Sequence, residues 1–186
     1  MEDTLRAIKK TKTQIYPTKL NFKDLVDNYN QQIYRFCCRL TYFKEDADDL
    51  FQDTFLKAFE QLDKINISSN PKSFLFSTAL YLWKGKKRMY ARRNRIAPTQ
   101  PLDDAIVSDI SMEDSVMAKE ENRIVSELVE TLPEKFKIPT ILYYTIEMNV
   151  QDIASILKLP VGTIKSRLFK ARTLIEKGLV KNGYGE

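Results

Sequence analysis

The chain has 186 residues, of which 43% are hydrophobic and only five are glycine, which suits one or two small soluble domains with a helical bias and is too apolar for wholesale disorder. Thirty basic against 25 acidic residues leave a formal net charge of +5, a mild excess that says little by itself about a polyanionic partner. Histidine is absent, which excludes His-ligated zinc and His-based catalytic triads, and no Gly-rich phosphate loop appears.

Residues 1–19 are polar and lysine-rich and close on Pro17, so a mobile arm is expected. They hold no long apolar run, and neither a signal peptide nor a membrane span is expected. From Leu20 a three-four spacing begins (Phe22, Leu25, Val26, Tyr29, Ile33, Phe36, Cys37, Leu40), which predicts an amphipathic helix. Cys37 and Cys38 are neighbours within it and point in different directions. That argues against a disulfide and for a reduced cytoplasmic setting, with one thiol buried and the other partly so.

A break at Tyr42 to Lys44 leads into a second predicted helix, acidic in its first turn as the helix dipole favours, with apolar positions Ala47, Leu50, Phe51, Phe55, Phe59 and Leu62. The turn formers from Asn66 to Pro71 predict a loop. A third helix is expected from about Lys72, apolar at Phe74, Phe76, Ala79, Leu80 and Trp83 and then strongly basic toward Arg95. Pro98, Pro101 and the acidic run from Asp103 to Asp114 read as a linker.

The second lobe is expected to open near Ser111, a candidate N-cap with Asp114 three residues on. Val116, Met117, Ile124, Leu128 and Leu132 mark its first helix. Pro133 should begin another, in which Pro139 removes one backbone bond and threatens a kink. Two short helices follow, about Val150 to Leu157 and Val161 to Leu179. With no internal repeat and no strand-period segment, the expected fold is all-α: two small helical domains, 20–95 and 113–182, joined by a flexible linker over 96–112.

The last two helices have a helix-turn-helix pattern. Ile153, Ala154 and Leu157 supply an apolar face, and Val161, Ile164 and Leu168 anchor the second helix across a three-residue turn. Thr163, Lys165, Ser166, Arg167, Phe169, Lys170 and Arg172 then point outward. Such a helix can enter a major groove, with N-terminal side chains at base edges and cations at phosphates. Leu132-Pro133-Glu134, Asp152-Ile153-Ala154, Gly162 to Leu168 and Ala171-Arg172 closely resemble the DNA-binding region with which bacterial RNA polymerase sigma factors read the −35 promoter element.

The first lobe carries the more distinctive likeness. Asp46, Asp49 and Asp53 fall at i, i+3 and i+7 and form one acidic face beside Gln52, with Leu50 and Phe55 as apolar neighbours serving the fold or an interface. The run Asp46 to Phe55 resembles the core-polymerase-binding helix of sigma factors. By that resemblance Asp46, Asp49, Leu50, Gln52, Asp53 and Phe55 meet the β′ clamp helices. The segment Phe74 to Arg95 resembles the helix that opens and holds the −10 element. Phe74-Leu75 stands where the family usually has a tryptophan-leucine pair, Tyr81 replaces its usual asparagine, and Gly85 its usual aspartate. Lys84, Lys87, Arg88 and Arg92, interleaved with Trp83 and Tyr90, suit a single DNA strand through phosphate neutralisation and stacking. The loop residues Ser68, Ser69 and Asn70 can bond a Watson–Crick edge, and Lys72 can meet a phosphate.

The resemblance covers roughly Leu20 to Leu179 and identifies the chain as similar to the small, two-domain extracytoplasmic-function group of the sigma-70 family. It implies promoter recognition without covalent chemistry. The implied partners are core RNA polymerase (β′ clamp helices and β flap), promoter DNA and an anti-sigma factor, with no metal, cofactor or small-molecule substrate. Two other readings stay open on residue types alone. One is a helix-turn-helix regulator with an effector-binding first domain; the other is a small nuclease using the acids of Asp46 to Asp53 for a divalent metal.

Overall fold

The computed structural model describes residues 21–62, 70–96 and 116–184. The arm, most of the loop after the second helix, nearly all of the 96–112 linker and the Ser111 cap expected from sequence lie outside them. All the described regular elements are helical.

Helix α1, Phe22–Leu40, starts at Asn21, whose side chain accepts the Lys23 N–H at 3.2 Å. Helix α2, Lys44–Glu60, follows after three extended or bent residues. Helix α3, Pro71–Ile96, is 26 residues long, and proline is tolerated at its first position because that N–H has no intrahelical partner anyway. Asn70 caps it: Oδ1 accepts the N–H groups of Lys72 (3.1 Å) and Ser73 (3.4 Å). The three helices close on Leu25, Ile33, Phe36, Leu50, Leu75 and Phe76, all fully buried, with the rings of Phe36 and Phe76 5.1 Å apart. Both cysteines are free, Cys37 buried and Cys38 half-buried. Burial pushes the Cys37 thiol up to about 12.

In the second lobe, α4 (Val116–Thr131) leads to α5 (Glu134–Thr140), which Pro133 precedes in an extended conformation. Pro133 therefore caps the helix where the sequence suggests it begins one. Beyond Pro139 the chain widens into a π-helical turn, Ile141–Thr145, in which Ile146 N–H donates to the Ile141 carbonyl at 3.1 Å. The missing N–H of Pro139 already breaks the regular ladder, and the wider turn carries the helix on where a kink is expected. Helix α6, Val150–Leu157, is capped by Asn149, which accepts the Asp152 N–H at 2.8 Å.

Lys158, at φ 53°, turns the chain in the left-handed region that glycine usually fills. Leu159 N–H reaches back to the Ala154 carbonyl at 3.0 Å and Lys158 N–H to that of Ser155 at 3.2 Å, which closes the helix end. Helix α7, Val161–Lys181, then crosses α6 on Ile153, Ile164 and Leu168, with Ile156 buried beneath and Leu157 only half so. Near its far end Gly178 lies against Leu128 of α4 so closely that a Cβ there would clash with the leucine methyls.

The lobes share one hydrophobic cluster, which runs from Leu25 through Phe76 to Ile141, Met148 and Ile153. Helix α3 packs on α6, and α1 on the π-helical turn.

Candidate polymerase and nucleic-acid interfaces

Helix α2 has two faces of different use. Ala47, Leu50, Thr54, Phe55 and Ala58 point into the core. Leu50 and Phe55, expected at a polymerase interface by resemblance, are packed within the fold, Leu50 with no exposed surface and Phe55 with 7%. The outward stripe is Asp49, Gln52, Leu56 and Phe59, with the two apolar side chains each 59% exposed. Phe59 is thus exposed where its spacing predicts burial, and Leu56, outside the predicted apolar positions, lies beside it. Composition gives no signal for this, because seven apolar residues among 17 are no more than one buried helix face takes. Phe59 rests edge-on against Phe22, ring centres 5.1 Å apart.

The acids around this stripe are partly engaged. Asp53 pairs with Lys86 at 3.0 Å, and Asp46 accepts the Tyr90 hydroxyl at 3.4 Å. Tyr34 donates to Asp48 at 2.9 Å; that bond, with some burial, raises the phenol to about 12. Asp49 and Gln52 stay solvent-facing. Among the described residues no group of three or more Asp, Glu, Cys or His is placed to hold a metal ion.

On α3, Lys84, Lys87, Arg88 and Arg92 are all exposed, as are Tyr81 and Tyr90. Trp83 is half-buried with the Lys87 ammonium 5.4 Å from its ring centre. Gly85 faces open space. Asn70 and Lys72 sit at the N-terminal end of the same helix, and Ser68 and Ser69 lie outside the described residues. Asn70 has its acceptor oxygen committed to the cap and its amide to Asp152 of the second lobe at 3.3 Å. The half-buried Lys72 ammonium is lowered by desolvation, against the pull of Asp152 and Glu147.

The helix-turn-helix face is as the sequence suggests. Lys165, Ser166, Phe169, Lys170 and Arg172 are exposed, and Thr163 and Arg167 half-exposed, while Ile164, Leu168 and Ala171 hold the other side in the core. Phe169 is 69% exposed, a large ring left in water on a basic face. Arg172 also borders a 310 Å³ groove with Arg39, Tyr144 and Ile175.

Comparison with known proteins agrees with both lobes. Residues 25–95 match the model of Sigma-70 region 2, and residues 122–175 that of Sigma-70, region 4. The ECF RNA polymerase sigma factor SigW of Bacillus subtilis is 30% identical over 165 residues, 85% of this chain and 88% of SigW. The RNA polymerase sigma-H factor of Pseudomonas aeruginosa is 27% identical over 168 residues, 87% of each chain. Among solved structures, the sigma factor RpoE from Bartonella quintana, crystallised with the anti-sigma factor NepR, superposes with a TM-score of 0.72 at 22% identity, covering 85% of this chain and 96% of RpoE. CnrH, in complex with the cytosolic domain of CnrY, gives 0.63 at 19%, covering 86% and 88%. The chain belongs to the sigma-70 family, in its extracytoplasmic-function (ECF) group. It is a sigma factor that directs promoter recognition and transcription initiation by RNA polymerase; the effector-binding regulator is not favoured.

Proposed function

We propose a division of labour for this sigma factor in which three surfaces act together. Asp49 and Gln52, flanked by Asp46, Asp53, Leu56 and Phe59, dock on the β′ clamp helices. Lys84, Lys87, Arg88 and Arg92 of α3, with Ser68, Ser69, Asn70 and Lys72 before it, hold the melted −10 strand. Thr163, Lys165, Ser166, Arg167, Phe169, Lys170 and Arg172 of α7 read the −35 major groove. The observation that carries this reading is the pair of exposed basic helix faces on separate lobes, one interleaved with aromatic rings and one on a helix-turn-helix.

On this reading residues 20–95 form the first functional unit, 113–182 the second, and 96–112 the connection. The chain is assigned to the cytoplasm and to no covalent chemistry of its own, a reading supported by its membership of the sigma-70 family; no described helix is long and apolar enough to cross a membrane. The solved relatives RpoE and CnrH are bound to NepR and CnrY, and a comparable anti-sigma partner is proposed here. Transcription in vitro with core polymerase and a promoter library randomised at both elements tests the assignment. Alanine at Lys165, Ser166 and Phe169 should shift the −35 preference alone, and alanine at Lys84, Lys87 and Arg88 should impair −10 capture alone. Equal effects of both sets on both elements would overturn it.

A further inference from the structure

Helix α7 closes in a turn that carries chemistry of its own. Gly183 stands just past the helix at φ 82°, in the left-handed region where any side chain is strained. Its N–H donates to the Val180 carbonyl at 3.1 Å, and Tyr184 N–H reaches one residue further back, to Leu179, at 2.9 Å. These are the paired bonds of a Schellman helix end. The turn lays Tyr184 along a 380 Å³ groove with Ile124, Leu128 and Thr131 of α4. Asn182, between helix and glycine, is exposed and donates its side-chain amide to the Gly178 carbonyl at 2.8 Å. Of the chain's asparagines it alone precedes a glycine.

We propose that Asn182 is a site of spontaneous covalent modification, a deamidation that the helix end itself restrains. The glycine that the turn requires also leaves the next amide nitrogen unshielded by any Cβ and free to swing toward the asparagine side chain. Once base removes its proton, the Gly183 nitrogen attacks Asn182 Cγ. The new N–Cγ bond closes a five-membered succinimide, the Cγ–Nδ2 bond breaks, and Nδ2 takes up a proton and leaves as ammonia. Water then opens either carbonyl, giving aspartate, or isoaspartate with the main chain rerouted through Cγ. In the folded chain both reactants are engaged, Gly183 N–H on Val180 and Asn182 Nδ2 on Gly178. The reaction therefore runs through the frayed form of the last turn. The product rebuilds that turn poorly. Its carboxylate sits at the negative end of the α7 dipole in place of an amide donor. The extra main-chain atom of isoaspartate also puts Tyr184 N–H out of register with Leu179, and Tyr184 leaves α4.

The test follows the full chain at mildly alkaline pH by peptide mapping that resolves asparagine, aspartate and isoaspartate. Asn149, whose side-chain amide is likewise hydrogen-bonded but which precedes valine, is the internal reference. Asn182 should convert well before Asn149 in buffer, and about tenfold faster in urea than in buffer, since two helix-end bonds of ordinary net strength restrain it. In urea, where the turn is gone, Gly183→Ala should slow conversion severalfold, which isolates the chemistry from the fold. Converted chains, separated by charge, should show faster hydrogen exchange at Gly183 and Tyr184 with Ile164 to Ala171 unchanged. Conversion of Asn182 no faster than that of Asn149 overturns the site. Equal rates in buffer and urea overturn the restraint by the helix end, and isoaspartyl chains that keep Tyr184 protected overturn the loosening.

Discussion

Replacing Leu50 with alanine asks whether this residue serves the fold or the polymerase. Its side chain has no exposed surface and stands where α2 meets the rest of the first lobe. The turn beneath it is pinned by the buried Thr54 hydroxyl, which donates to the Leu50 carbonyl at 2.6 Å, so the backbone has little freedom to collapse into the space left behind. The site also borders an existing cavity, which the truncation enlarges. Loss of transfer energy plus an unfilled void should cost about 3 kcal/mol, within the usual span for buried leucine. At about 2–4 °C per kcal/mol for a chain of this size, the melting temperature should fall by roughly 6–12 °C. Asp49→Ala with Gln52→Ala touches only solvent-facing groups and should stay within about 0.5 kcal/mol of the wild type, yet weaken association with core polymerase. Thermal melting and a core-binding titration on the same preparations separate the cases. If Leu50→Ala melted like the wild type and lost core affinity, its side chain would have to reach the polymerase and the inward packing described for α2 would be wrong.

Alanine at Lys165, Ser166 or Phe169 should change promoter discrimination by about 1–3 kcal/mol where a base-edge contact is lost, whereas Lys170→Ala should weaken all promoters alike and flatten the salt dependence, both read by binding to promoter variants at several salt concentrations. Gly85→Ala adds a methyl where no atom lies within 4 Å, and should raise stability by up to about 1 kcal/mol in a melting experiment through helix propensity alone. Tyr34 is raised from 10.0 to about 12, so its contribution to stability is complete below pH 10 and is lost as the pH climbs toward 12. Denaturant titrations should show that loss in the wild type and a shallower one in Tyr34→Phe. Cys37, raised by burial from 9.0 to about 12, should resist alkylation at pH 8 until the chain is unfolded, as mass spectrometry of iodoacetamide-treated protein can follow.

The helices were legible because each buries one stripe, and a three-four spacing declares it without reference to any other element. That is why α1, α6 and α7 and the outward cations of α7 follow from the residues alone. Helix α2 was harder: Phe51, Phe55, Leu56 and Phe59 are all apolar, and spacing alone does not say which of two adjacent stripes meets water. Asn70 has the residue type of a base reader, yet Asn before Pro is also a cap signal, and its oxygen is spent on the start of α3. The approach of the lobes was not legible at all. Asn70 and Asp152 are 82 positions apart, and nothing in either segment's periodicity names its partner. Periodicity reports that a face is covered; tertiary packing decides by what.

Gly178 gives α7 a second mounting point. The helix is seated on α6 around Ile164 and again on Leu128 at Gly178, about 21 Å further along its axis. Two supports that far apart fix direction far better than one. A slip of about 1 Å at the distal seat would rotate the rod by only about 3° over that length, and residues 165–170, close to the proximal seat, would scarcely travel. The reading end is therefore insulated from disturbance at the carboxy-terminal end of its own helix, while a comparable slip at Ile164 would carry the whole reading face with it.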